Sequence, residues 1–141
     1  MLILGLGNED RSDDAAGLLA TRKLAALGFD TCEPGNDPLA LIESWSHSAY
    51  VILIDATMSG AAPGTIHVWD VRSAPLPPGR YACSTHALGV AEAIEIARAL
   101  DRLPPKFIFY GIEGLRFEPG GAPSPAVLEA VERLVRQVAQ K

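Results

Sequence analysis

The chain has 141 residues, of which 48% are hydrophobic and 21% are charged, and its formal net charge at pH 7 is −5. This size and composition predict a single globular domain over residues 1–141, and they exclude a disordered chain, a nucleic-acid surface built on Lys/Arg runs and a membrane span of roughly 20 apolar residues. The cysteines, Cys32 and Cys83, are too few for a disulfide framework, and with no secretory signal visible after Met1 we expect the cytoplasm as the compartment.

The first predicted unit is a strand that turns sharply into a helix. Residues 1–6 are apolar and lead into Gly5-Leu6-Gly7-Asn8, whose glycines permit a tight turn at the ligand-binding end of a strand. A dinucleotide-binding turn carries a third glycine where this chain has an aspartate. The turn instead holds carboxylates, which would repel a pyrophosphate and attract a cation or a basic segment of a partner: Glu9, Asp10, Asp13 and Asp14.

The first helix is predicted to start at Ser12, whose hydroxyl can cap it, with Asp13 and Asp14 favourably placed at its positive end. Gly28 fits its C-terminal end, and residues 29–33 follow as a short second strand. Apolar residues at helical spacing give this helix one buried face: Ala16, Leu19, Ala20, Leu24 and Leu27.

The second helix and the central strand carry the clearest local signals. Asp37 and Pro38 predict a helix over residues 38–46, because aspartate is a good N-cap and proline fits the first helical turn. Residues 50–56 form a continuous β-branched run, which is typical of a parallel strand covered on both faces. Near its end, Asp55 places a carboxylate at the ligand-binding edge of the sheet.

Residues 65–71 alternate loosely and predict an edge strand that runs antiparallel, followed by a loop over residues 72–81. Thr85 can cap a third helix, which places His86 in or beside the first turn. The apolar face of this helix is predicted from its spacing: Ala87, Val90, Ala91, Ile94 and Ala97.

Residues 106–112 are the last predicted strand, and residues 113–121 form a polar, glycine-rich loop. Ser124 and Pro125 open a terminal helix. Its predicted buried face contains Val127, Ala130, Val131, Leu134 and Val138. The whole alternation predicts an α/β fold: a three-layer α/β/α sandwich around a mostly parallel, twisted sheet of about five strands with one antiparallel edge strand.

Three metal-competent side chains are predicted at one edge of this sheet. Asp14 follows the first strand, Asp55 ends the central strand and His86 begins the third helix. They converge if the first and third strands are neighbours at the switch point. Two carboxylates and one imidazole suit a borderline divalent ion such as nickel, zinc or iron, and they leave positions open for water or substrate. A helix N-terminus also keeps the imidazole neutral and able to bind metal.

Plainer interpretations of these residues stay open. Asp13 and Asp14 can be helix caps, with capping the stronger interpretation for Asp13. Asp55 can bond backbone amides, and His86 can be structural. Cys83 and His86 are three residues apart, which is the weaker hypothesis of a cysteine hydrolase. The remaining candidates are expected to play no part in chemistry: His47 and His67 at the surface, Trp45 and Trp69 in packing, and Glu113 and Glu118 solvated in a loop.

Several motifs, in order along almost the whole chain, resemble the hydrogenase maturation endopeptidases. They are Gly5-Leu6-Gly7-Asn8, Asp13-Asp14-Ala15-Ala16-Gly17, Ile54-Asp55-Ala56, Pro63-Gly64-Thr65 and Ser84-Thr85-His86-Ala87-Leu88-Gly89. The resemblance implies the α/β/α sandwich and an enzyme that removes a short C-terminal extension from the large-subunit precursor of a nickel-iron hydrogenase after nickel insertion. It also implies that Asp14, Asp55 and His86 contact nickel supplied by the precursor, with no permanent cofactor.

The chain departs from that family at one turn. Many members have Asp-Gly-Gly-Thr after the second strand, where this chain has Glu33-Pro34-Gly35-Asn36, and Pro34 removes a backbone N–H there. Two other functions fit parts of the sequence. A nickel-sensing or cation-sensing escort module would use the same three ligands without cutting. A peptidyl-tRNA hydrolase has a similar start but needs a histidine soon after Asn8, and none occurs before Asp30.

Overall fold

The structure is a computed structural model that describes residues 1–76 and 85–141, with the backbone alone at residues 85–88. The hypothesis that pairs Cys83 with His86 therefore falls outside the described residues, as does the part of the predicted loop after residue 76. The elements, in chain order, are β1 (Leu2–Gly5), a 3-10 turn (Ser12–Ala15), α1 (Ala16–Ala26), β2 (Asp30–Cys32), α2 (Pro38–Trp45), β3 (Tyr50–Thr57), β4 (Ile66–Asp70), α3 (Thr85–Ala99), β5 (Lys106–Glu113) and α4 (Pro125–Ala139).

The five strands form one sheet in the order β2-β1-β3-β5-β4. Neighbouring strands are parallel except for β4, which is antiparallel to β5 and lies at the edge. The central strand β3 is buried along nearly its whole length, as its continuous apolar run predicts. The predicted antiparallel edge strand is confirmed, and the condition set for convergence of the site residues, that β1 and β3 are neighbours, is met.

Helices cover both faces of the sheet, which confirms the three-layer sandwich. On one face α2 and α3 pack over a core that includes Trp45, Val90, Ile94, Phe107 and Phe109. On the other face α1 and α4 pack over a core that includes Leu24, Ile52, Ile54, Val131 and Leu134. Within the described ranges, no helix combines the length and the apolar character needed to cross a membrane.

Two predicted details of the first helix are wrong. Ser12 does not cap it: this residue has φ of 54°, and its hydroxyl donates to the Glu118 carbonyl at 2.8 Å, so the α-helix begins later, at Ala16. Leu27 is 60% exposed, because it lies at the C-cap, where the chain leaves the helix. Gly28 follows with φ of 97°, which confirms the predicted glycine ending.

The starts of the second and fourth helices are confirmed at Asp37 and Ser124. The Asp37 carboxylate accepts the Ala40 amide at 3.0 Å, with Pro38 first in α2. Pro125 is first in α4, and all predicted core positions of that helix are buried. In α3 the predicted Val90, Ile94 and Ala97 are buried, while the Ala91 side chain is partly exposed.

Gly17 brings α1 unusually close to the ends of two strands. A Cβ at Gly17 would overlap the carbonyl oxygens of Leu6 and Ile54, and it would lie 3.0 Å from the Cα of Asp55. Only glycine leaves room for this approach. The first turn of α1 and the 3-10 turn before it are therefore held against the end of β3.

Candidate functional site

An open cleft of about 450 Å³ lies at the C-terminal edge of the sheet, where open α/β folds place their ligands. Its walls are the loop after β1 and the loop after β2, and part of α1 completes it. The lining residues are Gly5, Leu6, Gly7, Asn8, Glu9, Asp10, Arg11, Asp14, Leu18, Arg22, Glu33, Gly35 and Asn36.

Asp14 lies in the lining of this cleft and is only 4% exposed. Its position is fixed by its backbone: the Asp14 amide donates to the Arg11 carbonyl at 3.0 Å, and the Asp14 carbonyl accepts the Asn8 amide at 3.2 Å. Gly7, with φ of 137°, passes so close to the Asp14 carbonyl that a Cβ would overlap it. The glycine turn therefore presents Asp14 to the cleft.

Asp55 is fully buried near the end of β3. Its carboxylate accepts the amide of the next residue, Ala56, at 2.7 Å, which is a bond within β3 itself. Because Asp55 pairs with Gly111, and Gly111 with His67, these residues share the face that α2 and α3 cover. The 3-10 turn that carries Asp14 contacts β3, so the two carboxylates belong to elements in direct contact.

His86 is the second residue of α3, and its side chain lies outside the description. The backbone of α3 nevertheless begins at the same edge of the sheet as the cleft. Gly89, one turn further on, packs against Asn36 so tightly that a Cβ would overlap the Asn36 carbonyl, and Asn36 lines the cleft. The fold thus brings all three predicted residues to one edge.

Asp13 was predicted as a helix cap, and this prediction is wrong, because its side chain caps neither the 3-10 turn nor α1. It is fully buried, and its carboxylate accepts the amides of Leu115 (2.7 Å), Arg116 (3.0 Å) and Ser124 (2.5 Å) and the Ser124 hydroxyl (2.8 Å). Burial opposes ionisation, but these hydrogen bonds outweigh it and hold the pKa of Asp13 below its ordinary value. Asp13 therefore anchors the loop between β5 and α4.

Further hydrogen bonds join the loop after β5 to the loop after β1. The Asp13 amide donates to the Arg116 carbonyl at 3.0 Å, and the Gly120 amide donates to the Asp10 carbonyl at 2.8 Å. The Arg11 side chain donates to the Phe117 carbonyl at 3.2 Å. Residues 10–13 are consequently fixed from behind, which in turn fixes the backbone position of Asp14.

Glu113 and His67 were also predicted wrongly. Both were expected at the surface, but they contact each other and are largely shielded from solvent. Glu113 is 1% exposed and accepts the Thr57 hydroxyl (2.9 Å), the Ser59 hydroxyl (2.7 Å) and the Ser59 amide (2.8 Å). The His67 ring lies 3.1 Å from the same carboxylate and stacks on Trp69. Burial opposes ionisation of Glu113, but the bonds from Ser59, His67 and Thr57 outweigh it and lower its pKa.

The remaining residues that were predicted to have no part in the chemistry lie where they were expected, at the surface or in packing contacts. The His47 side chain is 86% exposed and Glu118 is exposed. The two tryptophans are packing residues: Trp45 meets Phe107 edge-on at 4.9 Å between ring centroids, and Trp69 meets Phe109 edge-on at 5.3 Å.

The predicted cluster of acidic side chains in the first turn does not exist as one group. Asp13 faces inward, the Glu9 carboxylate pairs with Arg22 at 2.8 Å, and Asp10 is exposed. Asp14 remains as the buried carboxylate in the lining of the cleft. Among the side chains that the structure describes, no three of His, Cys, Asp or Glu are grouped closely enough to hold a metal ion.

Comparison with solved structures places this fold among hydrogenase maturation proteases. The [NiFe] hydrogenase maturation protease HybD from Thermococcus kodakarensis is 30% identical, with a TM-score of 0.82 over 99% of this chain and 96% of its own. The hydrogenase maturating endopeptidase HybD from Escherichia coli is 25% identical, with a TM-score of 0.83 over 97% of this chain and 88% of its own.

Comparison with known sequences agrees. The hydrogenase 2 maturation protease of Escherichia coli K12 is 26% identical over 145 residues, which cover 98% of this chain and 87% of that protein. A family model described as hydrogenase maturation protease matches residues 23–141. The chain therefore belongs to the hydrogenase maturation protease family and is an endopeptidase of hydrogenase maturation.

Proposed function

We propose that this endopeptidase removes the C-terminal extension of a nickel-iron hydrogenase large-subunit precursor after nickel insertion, and that it recognises the nickel held by the precursor through Asp14, Asp55 and His86. The observation that supports this proposal most strongly is the position of Asp14. It lines the cleft between the loops after β1 and β2, on a turn that contacts β3, the strand of Asp55. The precursor would therefore bind at the C-terminal edge of the sheet, where open α/β folds bind their ligands.

The donor set suits nickel that arrives with the substrate. Two carboxylates and one imidazole match the preference of a borderline divalent ion, and they leave positions for the ligands that the precursor already supplies. His86 is the second residue of α3, so the proposed imidazole donor belongs to the N-terminal turn of that helix. In this proposal nickel belongs to the substrate, and the protein needs no permanent metal.

Nickel recognition would also position the bond to be cut. A precursor that is bound through its nickel would place its extension across the cleft in one orientation. The scissile bond and the reacting groups are then already aligned, which lowers the entropic cost of hydrolysis. The same ion can polarise the scissile carbonyl or an attacking water. A precursor without nickel would lack this fixed orientation, so cleavage acts as a check that metal insertion is complete.

The proposal is tested by mass measurement on matched precursors. Nickel-loaded and nickel-free large-subunit precursors are incubated with the protein, and we expect loss of the extension mass from the nickel-loaded form alone. Equal cleavage of both forms would contradict nickel recognition. Complex formation without any mass change would contradict cleavage and support the escort function instead.

A further inference from the structure

We propose that Arg22 is a positioning residue of the substrate cleft, because it joins the two loops that form the cleft walls and thereby sets the distance between them. The proposal goes beyond metal recognition, since Arg22 belongs to α1 and is separate from Asp14, Asp55 and His86. It rests on the proposed function only where cleavage of the precursor is the readout.

Arg22 reaches both walls with one guanidinium. Its Nη1 donates to the Glu9 carboxylate, in the loop after β1, at 2.8 Å. Its Nε and Nη2 donate to the two oxygens of Glu33, directly after β2, at 3.0 and 2.9 Å. The second contact is a two-pronged arginine–carboxylate pair, which fixes orientation as well as distance. All three residues are in the lining of the cleft.

The side chains of Arg22, Glu9 and Glu33 are 44%, 61% and 39% exposed, so solvent weakens the contribution of these ion pairs to the stability of the fold, even with the two-pronged geometry. A planar guanidinium that holds two separate loops is, however, an effective geometric link. The hydrogen bonds from Arg22 also lower the pKa of Glu33, so this carboxylate stays ionised and paired.

The link also lowers the net negative charge that the cleft walls present to a substrate. Arg22 pairs with both Glu9 and Glu33, so part of the negative charge of the two walls is compensated within the protein. Asp14 is the buried carboxylate of the cleft lining, and Asp10 is an exposed one. The turn Glu33-Pro34-Gly35-Asn36, where this chain departs from the family pattern, thus gains a specific partner on α1.

The direct test compares Arg22→Gln with Lys23→Gln. Lys23 is the next residue of the same helix, its side chain is similarly exposed at 47%, and it pairs with Glu132 of α4 at 2.7 Å, away from the cleft lining. Each variant loses one positive charge, and Arg22→Gln loses two exposed ion pairs where Lys23→Gln loses one. We expect Arg22→Gln to raise the KM for nickel-loaded precursor by about 3- to 10-fold with kcat within about twofold, and Lys23→Gln to change neither.

Two further measurements separate positioning from a general loss of structure. Arg22→Lys keeps the charge but loses the two-pronged fork, so we expect an intermediate KM. Raising the ionic strength should raise the KM of the natural protein more than that of Arg22→Gln, because exposed pairs are screened by salt. Equal KM values for all variants, or the same KM increase in Lys23→Gln, would overturn the proposal.

Hydrogen exchange tests the link without any substrate. In Arg22→Gln the amides of residues 8–11 and those of Glu33, Gly35 and Asn36 should exchange faster, while those of the α1–α4 interface stay unchanged. Unaltered exchange in both loops would overturn the proposal. If the natural protein leaves a nickel-loaded precursor intact, the proposed function fails, and the exchange result still decides the role of Arg22.

Discussion

Asp14→Asn is expected to lower the rate of precursor processing by about 100-fold or more while the protein stays folded. Substitution of a residue that contacts a metal ligand commonly lowers metal affinity or activity by about 10- to 100-fold. Loss of a residue that contacts the metal itself should lower activity at least as much. Asparagine keeps the size of the side chain but removes the charge that would meet nickel at the cleft. The rate is measured on nickel-loaded precursor, and folding is checked by circular dichroism. Under the same proposal, Asp55→Asn and His86→Ala should show comparable losses.

Asp10→Asn is the matched control for Asp14→Asn. Asp10 lies in the same loop, also lines the cleft and carries an exposed side chain, so the change in charge and size is the same. We expect its processing rate to stay within about twofold of the natural protein, because an exposed carboxylate interacts weakly through water. Equal losses in the two variants would show that the total charge of the cleft matters, and not Asp14 itself.

Asp13→Asn is expected to lower the free energy of unfolding by about 2–4 kcal/mol. The variant loses strong hydrogen bonds to a buried charge, and it places a buried NH₂ donor opposite another donor. Both Asp13 oxygens accept amide hydrogens, from Leu115 and Arg116 on one and from Ser124 on the other. In either orientation, the asparagine NH₂ would therefore face a donor. Urea unfolding followed by circular dichroism gives the free energy of unfolding, with Asp10→Asn again as the control.

The lowered pKa of Asp13 adds a pH dependence to this prediction. A carboxyl whose folded pKa lies below its unfolded value contributes stability above the unfolded value of about 4, and that contribution is lost as the pH falls through the folded pKa. The free energy of unfolding of the natural protein should thus fall with acid below about pH 4, and Asp13→Asn should fall less steeply. Parallel curves for the two proteins would contradict the assigned role of Asp13.

Local patterns in the sequence were sufficient to predict the layers of the fold. The β-branched run at residues 50–56 and the Asp37–Pro38 helix start are decided by residues close in the chain, and both are confirmed. Positions that depend on distant partners were less predictable. Leu27 fits the helical spacing of α1, yet it is exposed because the chain leaves the helix there.

At the site, the misassigned residues are those whose partners lie far away in the chain. Asp13 bonds to residues more than 100 positions later, and Glu113 bonds to Thr57, 56 positions earlier. Asp13 followed a glycine turn and preceded a helix, so local rules indicated a cap. Glu113 comes directly after the predicted strand at residues 106–112. The signal in the sequence for its buried position was the pair Thr57 and Ser59 at the end of the neighbouring strand β3, because these residues donate hydrogen bonds to its carboxylate.

The edge that gathers Asp14, Asp55 and His86 was predictable because topology alone decides it. Parallel strands joined by right-handed crossovers place their following turns at one edge, so strand ends in the sequence become neighbours in space. The Arg22 link could not be predicted in the same way. It requires the lateral spacing of β1 and β2, which the sequence does not specify.

The central claim is that side chains of this protein contact nickel held by the precursor, and X-ray absorption at the nickel edge tests it most directly. Nickel-loaded precursor is measured alone, after rapid mixing and freezing with the natural protein, and after mixing with Asp14→Asn. We predict added oxygen or nitrogen neighbours around nickel with the natural protein and fewer with the variant. An unchanged nickel spectrum in a complex that forms and is then cleaved would contradict the account.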